Sequence, residues 1–199
     1  MTSQTRVLRS DDPGLQALER EGWVVVARSW GARRDTATCD RQHLEALAGR
    51  ANATGTVRAL TTHDVGAVLA LDADTAADYP GREATAHAPL TADRAAVGPS
   101  RRAHGVVEAD GRLVAMTFVD VEPPRAEVDF TVVAQDRRGL GLATAVKAAS
   151  VLALVDDGVA VVRTGGSADN PAILAANRAL GFVVDEEWLT LEGPETAGR

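Results

Sequence analysis

A glycine-rich turn, Gly139-Leu140-Gly141, is the part of the sequence best suited to hold a charged ligand. It follows a strand pattern and precedes a helix pattern. Glycine lets the backbone approach a ligand closely, and a helix N-terminus offers free amides with partial positive charge. Arg137 and Arg138 add full charges at the rim. These features predict a pyrophosphate site, although such a turn also occurs as a simple tight connection.

The turn differs from two common phosphate-binding motifs. No Gly-Lys-Ser/Thr follows it, so it is not a P-loop. It also lies late in the chain, whereas a dinucleotide-binding fold places its glycine-rich turn in an early βαβ unit. The phosphate-binding turn is therefore expected in a fold that is neither a P-loop fold nor a dinucleotide-binding fold.

Two carboxylates, Glu127 and Asp129, lie on the strand that precedes the turn. Residues two apart on a strand share one face of the sheet. If that face lines a cleft, either carboxylate can accept a proton from an amine. A solvated polar face explains the same spacing equally well. Asp120 and Glu122, at the end of the preceding strand, are further candidates for contact with a cationic substrate.

The elements that position these residues divide at residues 51–55, a small and polar stretch typical of a linker. Residues 1–55 are predicted to form an N-terminal appendage with a helix at 15–21, a strand at 23–27 and a helix at 41–50. Residues 56–199 are predicted to form the main domain, with strands at 57–60, 105–108, 112–121, 126–133, 159–163, 182–184 and 188–191, and helices from 62, at 142–155 and after Asn170. The predicted fold is α/β, a mixed, mostly antiparallel sheet flanked by helices.

Two segments of the chain resemble each other. Leu15–Val25 and Leu174–Val184 both read as a helix, a glycine, an aromatic residue and an apolar strand. The N-terminal segment is either the remnant of a second copy or an instance of a common helix–glycine–strand arrangement. One short match does not decide between the two.

Composition narrows the classes of function. The formal net charge of −7 argues against non-specific nucleic-acid binding and suits a cationic substrate. The apolar runs are too short to cross a bilayer, so no membrane partner is expected. Cys39 is the single cysteine, which excludes an intrachain disulfide. The four histidines have no metal-ligand spacing, and we predict no metal site and a cytoplasmic protein.

The residues around the turn resemble the GNAT (GCN5-related) N-acetyltransferases. Arg138-x-x-Gly141-x-Ala143 is similar to their acetyl-CoA motif, Arg/Gln-x-x-Gly-x-Gly/Ala, at the end of the fourth strand of the main domain. The segment from Asn170 to Phe182 resembles a second signature, Asn-x-x-Met-x-x-x-Asn-x-x-Leu-Gly-Phe. The resemblance covers about residues 56–191 and is nearest to the mycothiol-synthase-like and related small-molecule acetyltransferases.

This resemblance implies acetyl-CoA as co-substrate and assigns residues to it. The cofactor-binding positions would be Val132, Val133, Ala134, Arg138, Gly139, Leu140, Gly141, Leu142, Ala143, Thr144, Asn170 and Asn177. The first three would pair with the pantetheine arm through their backbones, and the residues from Arg138 to Thr144 would hold the pyrophosphate. Lys147, one turn further on, either reaches a cofactor phosphate or is a solvated surface lysine.

The resemblance also implies the reaction, a direct attack of an amine on the thioester. Glu127 or Asp129 would be the base, and Asn177 stands where many relatives have a tyrosine that protonates the leaving thiolate. Because asparagine is not an acid, a catalytically silent acyl-CoA-binding module is the alternative to an enzyme for a small-molecule amine. Acetylation of a protein is a third hypothesis. A homodimer through exposed sheet edges is a further expectation.

Overall fold

A single eight-stranded sheet organises the computed structural model, which describes residues 4–76 and 88–194. The strands are β1 (Thr5–Arg9), β2 (Val24–Asp35), β3 (Thr56–Ala59), β4 (Arg101–Val107), β5 (Leu113–Glu122), β6 (Arg125–Val133), β7 (Val161–Ser167) and β8 (Val183–Glu192). The α-helices of the described residues are α1 (Leu15–Arg20), α2 (Arg41–Ala48), α3 (Val65–Thr75), α4 (Ala92–Ala95), α5 (Leu142–Asp156) and α6 (Pro171–Ala179). The strand order is β1-β8-β2-β7-β6-β5-β4-β3, antiparallel except between β6 and β7. The predicted fold class is confirmed.

The residues before position 56 contribute strands to this same sheet. β2 lies between β8 and β7, and β1 forms the edge beyond β8. The stretch predicted as a linker includes Ala51, which is fully buried in the 3-10 helix Gly49–Ala53. The N-terminal segment thus supplies one edge strand and one interior strand of the sheet.

Two units, β1-α1-β2 (the N-terminal unit) and β7-α6-β8 (the C-terminal unit), have the same construction. In each, a glycine with positive φ and an aromatic residue join the helix to the following strand. β2 and β8 pair so that Val24 lies opposite Glu192 and Arg33 lies opposite Val183. Val24 corresponds to Val183 in the repeat, and Arg33 corresponds to Glu192, so exchanging the two units gives the same pairs. β1 pairs with β8 as β7 pairs with β2. The internal sequence similarity therefore reflects a repeated unit related by a pseudo-two-fold axis.

The sheet opens between its two parallel strands. β6 and β7 pair only from Arg125 to Glu127, where Glu127 lies opposite Arg163. Beyond this point β6 continues to Val133 and β7 to Ser167 without pairing with each other. The strands diverge and leave backbone groups of their facing edges available to a ligand.

The two faces of β6 carry different elements. Ala126 and Val128 pack in a hydrophobic cluster with residues of α2 and α5. Asp129 lies on the opposite face, where its carboxylate pairs with Arg94 of α4. α3 packs beside α4. The sheet is thus covered by α2 and α5 on one face and by α3 and α4 on the other.

Candidate functional site

A cavity of about 670 Å³ lies where β6 and β7 separate, between the end of β6, the beginning of α5 and one side of α6. The predicted cofactor residues that line it are Val132, Val133, Arg138, Gly139, Gly141, Leu142, Ala143, Thr144 and Asn170. The remaining ones, Ala134, Leu140 and Asn177, lie outside its wall. The structure therefore brings most of the predicted cofactor residues together around one opening.

The N-terminus of α5 forms one wall of this cavity and lacks a side-chain cap. Its N-cap residue is Gly141, whose left-handed conformation (φ 75°) has no side chain to offer. By contrast, Asp40 caps α2 and Asn170 caps α6 through side-chain oxygens. The first-turn amides of α5, from Leu142 to Thr144, have no acceptor within the helix. They are suited to bind an anion in the cavity.

The two arginines of the turn have different surroundings. Arg137 donates to Glu108 Oε1 (2.8 Å) and to Asp136 Oδ2 (2.9 Å), so its charge is balanced within the protein. Arg138 Nε donates to the backbone oxygen of Val133 (3.3 Å) and lies across the free edge of β6. Arg138 is therefore the better placed of the two to contact a ligand phosphate.

The backbone hydrogen bonds of β6 decide which of the three predicted residues can pair with pantetheine. Ala134 N–H donates to Val114 O (2.9 Å) and Ala134 O accepts from Arg137 N–H (2.9 Å), so these groups are engaged within the protein. Residues of an antiparallel strand direct their backbone groups alternately to the two sides. Val132 therefore faces β5 like Ala134, and Val133 faces the gap. Of the three predicted residues, Val133 is the one whose backbone can pair with a ligand there.

The two asparagines of α6 occupy different environments. Asn170 Oδ1 accepts from Ile173 N–H (3.1 Å), which caps the helix, and the residue lines the cavity. Asn177 is only 1% exposed, and neither polar atom of its side chain has a partner among the described residues. It lies one helical turn from Ile173, which lines the cavity. A buried amide without a partner costs free energy, so a ligand group is one explanation of its presence.

The predicted carboxylates lie on the α3 and α4 face, outside the cavity wall. Asp129 is the unpaired residue of a β-bulge, and its Oδ2 accepts from Arg94 (2.9 Å) and Arg101 (2.7 Å). Glu127 is exposed and lies opposite Arg163, with which it interacts electrostatically without a hydrogen bond. Asp129 is thus held in a structural network, and Glu127 remains open at the point where the strands part.

The structure corrects both interpretations of Lys147. Its side chain is 2% exposed, and its Nζ donates to Thr164 Oγ1 (3.1 Å) and lies 5.7 Å from the centre of the Phe182 ring. Burial lowers the pKa of Lys147 to about 7. The lysine is neither at the surface nor at the cavity wall, because its side chain packs against Thr164 of β7 and Phe182.

Several lining residues were not predicted. Arg50 comes from the N-terminal segment, and Thr75 and Thr131 come from α3 and β6. α6 presents a stripe of small residues to the cavity: Ala172, Ala175, Ala176 and Ala179. The three- and four-residue spacing of these alanines was a usable signal, whereas nothing local to Arg50 marked it.

Among residues 4–76 and 88–194, no group of three or more His, Cys, Asp or Glu side chains is arranged to hold a metal ion. In the same residues, no helix combines the length and apolar character needed to cross a bilayer.

Comparison with known proteins identifies the fold. No protein-family model matches the sequence, and no curated protein matches it significantly. A GCN5-related N-acetyltransferase from Sphaerobacter thermophilus is similar with a TM-score of 0.68 at 15% identity, over 97% of this chain and 61% of that one. A GCN5-related N-acetyltransferase from Kribbella flavida is similar with a TM-score of 0.62 at 17% identity, over 96% of this chain and 68% of that one. A tandem GNAT protein from the clavulanic acid biosynthesis pathway is similar with a TM-score of 0.62 at 24% identity, over 97% of this chain and 64% of that one.

These likenesses show that the chain has the fold of the GNAT N-acetyltransferases. The chain spans 61% and 64% of the lengths of the Sphaerobacter and tandem proteins, less than two thirds of each.

Proposed function

We propose that this chain is a GNAT-superfamily acetyltransferase that moves the acetyl group of acetyl-CoA to the amine of a small molecule. The observation that carries the proposal is the cavity at the gap between β6 and β7, which ends on the uncapped N-terminus of α5. A strand edge and a helix N-terminus together suit a ligand with an amide-containing arm and a pyrophosphate.

Different residues of the cavity bind different parts of this ligand. The first-turn amides of α5 bind the pyrophosphate, assisted by Arg138. The pantetheine arm lies along the free edge of β6 and bonds to the backbone of Val133. Arg138 Nε already donates to Val133 O, so the arginine and the pantetheine arm share this carbonyl as an acceptor.

The acceptor amine approaches from the face that carries Glu127. There the amine nitrogen attacks the thioester carbonyl carbon, a C–N bond forms, the C–S bond breaks, and CoA leaves as the thiolate. Glu127 takes the proton lost by the amine, because its carboxylate is exposed and accepts no hydrogen bond, whereas Asp129 is held by two arginines. The carboxylates on this face and the net charge of −7 favour a cationic substrate. The thiolate takes its proton from water, since Asn177 can donate a hydrogen bond but not a proton.

The alternative function is an acyl-CoA-binding module without catalysis. It is favoured by the asparagine at position 177, where a general acid would otherwise lie. Tyr79, the single tyrosine of the sequence, lies outside the described residues. Turnover of acetyl-CoA with a panel of small amines separates the two, because the module binds the thioester and leaves it intact. Cytoplasmic location and a homodimer remain predictions.

The first test is isothermal titration of the purified protein with acetyl-CoA, beside the variants Gly141→Trp and Gly158→Trp. Both glycines have a φ of 75° and open space at the Cβ position, at opposite ends of α5. They therefore impose similar backbone strain, but only the indole at position 141 fills the cavity. We expect binding by the wild type and by Gly158→Trp, and a loss of at least about 100-fold in Gly141→Trp.

Two results would contradict the proposal. Absence of acetyl-CoA binding by the wild type removes the acetyltransferase interpretation and leaves the fold without an assigned ligand. Equal affinity of the three proteins places the ligand elsewhere on the molecule.

A further inference from the structure

Arg50 is a wall residue of the cavity that is contributed by the N-terminal segment. It lies in the 3-10 helix Gly49–Ala53, directly after α2. This helix is firmly placed, because Ala51 is fully buried and its carbonyl accepts from Thr54 N–H (2.8 Å) and Gly55 N–H (2.9 Å). The backbone at Arg50 is therefore fixed before any ligand binds.

Arg50 and Thr75 enter the wall of the cavity from elements on opposite faces of the sheet. Thr75 ends α3 and therefore lies on the α3 and α4 side of the sheet. Arg50 follows α2, which packs against α5 on the other side. The cavity thus passes through the gap in the sheet, and the Gly139–Gly141 turn lies between its two ends.

The order of groups in CoA matches this order of residues. The thioester and pantetheine arm lie on one side of the pyrophosphate, and the adenosine with its 3′-phosphate lies on the other. With the pyrophosphate on the first turn of α5 and the thioester near the carboxylate face, the 3′-phosphate extends toward α2. The residue that meets it there is Arg50.

The chemistry of Arg50 suits a phosphate monoester. Its side chain is exposed and makes no hydrogen bond or ion pair with any residue in the ranges 4–76 and 88–194. Arg137, at the same cavity, is already neutralised by Glu108 and Asp136. A guanidinium donates two parallel hydrogen bonds to a phosphate, and a protein with a net charge of −7 needs a local cation to hold a doubly charged group.

We infer that Arg50 binds the 3′-phosphate of CoA and makes the site selective for CoA thioesters over their 3′-dephospho counterparts. The inference rests on the proposed function. It assigns a role to the N-terminal segment, which supplies one wall of the cofactor site from outside the motifs on the turn and on α6.

The test is a titration of wild type and Arg50→Ala with acetyl-CoA and with acetyl-3′-dephospho-CoA. We expect the wild type to prefer acetyl-CoA by about 10-fold or more, the worth of a charge-assisted hydrogen bond. Arg50→Ala should weaken the binding of acetyl-CoA by a similar factor and leave the affinity for acetyl-3′-dephospho-CoA unchanged. The variant should therefore lose the preference for acetyl-CoA. Arg20→Ala on α1, another exposed arginine, controls for the loss of one positive charge.

The outcomes separate this inference from the function on which it rests. If the wild type binds neither ligand, the proposed function fails. If it binds acetyl-CoA but Arg50→Ala retains the preference, or loses the same factor for both ligands, then Arg50 does not read the 3′-phosphate and the inference is overturned. A change in Arg20→Ala equal to that in Arg50→Ala also overturns it, since the effect is then one of net charge.

Discussion

The N-terminal and C-terminal units share a backbone but differ in what they do. Trp23 N–H bonds to Leu18 O in the N-terminal unit, and Phe182 N–H bonds to Asn177 O in the C-terminal unit, both at 3.0 Å. Yet α1 contains no buried residue and no side-chain cap, whereas α6 is capped by Asn170 and lines the cavity. The same local backbone geometry therefore forms part of a cavity in the C-terminal unit but not in the N-terminal unit.

The neighbours of each unit account for the difference. The N-terminal unit lies at the edge of the sheet, where its helix packs against a small cluster that includes Leu189 and Leu191. The C-terminal unit adjoins the gap between β6 and β7 and packs its helix against α5. A repeated unit gains a ligand site where it borders an opening in the sheet, and it becomes a structural edge where it does not.

The largest expected effect concerns the cations over the two equivalent aromatic rings. The exposed Arg6 lies 4.8 Å from the Trp23 ring, and the buried Lys147 lies 5.7 Å from the Phe182 ring. Burial lowers the pKa of Lys147 from 10.5 to about 7, so between these values the unfolded state holds a proton that the folded state has released. The free energy of unfolding should therefore rise with pH from about 7 to 10, by up to about 1.4 kcal/mol per unit.

Urea unfolding of wild type, Lys147→Met and Arg6→Met at pH 7, 8, 9 and 10 measures this term. The difference between wild type and Lys147→Met should shift by roughly 4 kcal/mol over the range, in favour of the wild type at high pH. Arg6→Met should follow the wild type, because an exposed arginine stays charged throughout. A difference between wild type and Lys147→Met that is constant with pH would show that the lysine is not neutral near pH 7.

The next effect compares the glycines that end the two helices. Gly22 and Gly181 both have positive φ, 88° and 78°. A Cβ at Gly22 meets nothing closer than 3.8 Å, whereas one at Gly181 overlaps Nη1 of Arg34, which donates to Leu180 O and holds the end of α6. Gly22→Ala should cost about 1 kcal/mol of backbone strain. Gly181→Ala should cost about 3 kcal/mol, because the buried Arg34 must also leave its acceptor.

Thermal and urea unfolding of the two alanine variants, compared at one pH, gives both values. Equal losses would show that Arg34 moves aside freely and does not anchor α6.

The smallest effect replaces a residue of one unit by its counterpart in the other. Asn177 corresponds to Leu18, and Asn177→Leu removes the two unpartnered polar atoms of the buried amide. We expect the ligand-free protein to gain about 1 to 2 kcal/mol in its free energy of unfolding. The increase in Tm on adding acetyl-CoA should become smaller if the amide serves the ligand. A loss of stability in the ligand-free variant would mean that the amide is satisfied by groups within the protein.

The cofactor turn and α6 were predictable because their signals are local. Gly141 needs a positive φ at the first helical turn, and Asn170 followed by Pro171 is a strong helix beginning. Several strands of the sheet were also placed correctly from apolar patterns. β1 was missed because its five residues show no clear alternation, and the last two predicted strands form the single strand β8.

Other features depend on contacts between residues far apart in the sequence. Lys147 is the one lysine of a mostly apolar helix, and its burial follows from contact with Thr164 and Phe182, which lie far along the chain. The entry of Arg50 into the cavity depends on the packing of α2 against α5. These placements required the whole sheet to be assembled.

The sequence by itself determined the turn at Gly139 and Gly141, the capped α6 and the class of fold, because each arises from preferences acting over a few residues. Only the tertiary structure decided that β2 lies between β7 and β8, that β6 and β7 part after Glu127, and that Lys147 is buried. Strand order and helix packing are set by long-range pairing and by burial of apolar surface, which a local pattern does not encode.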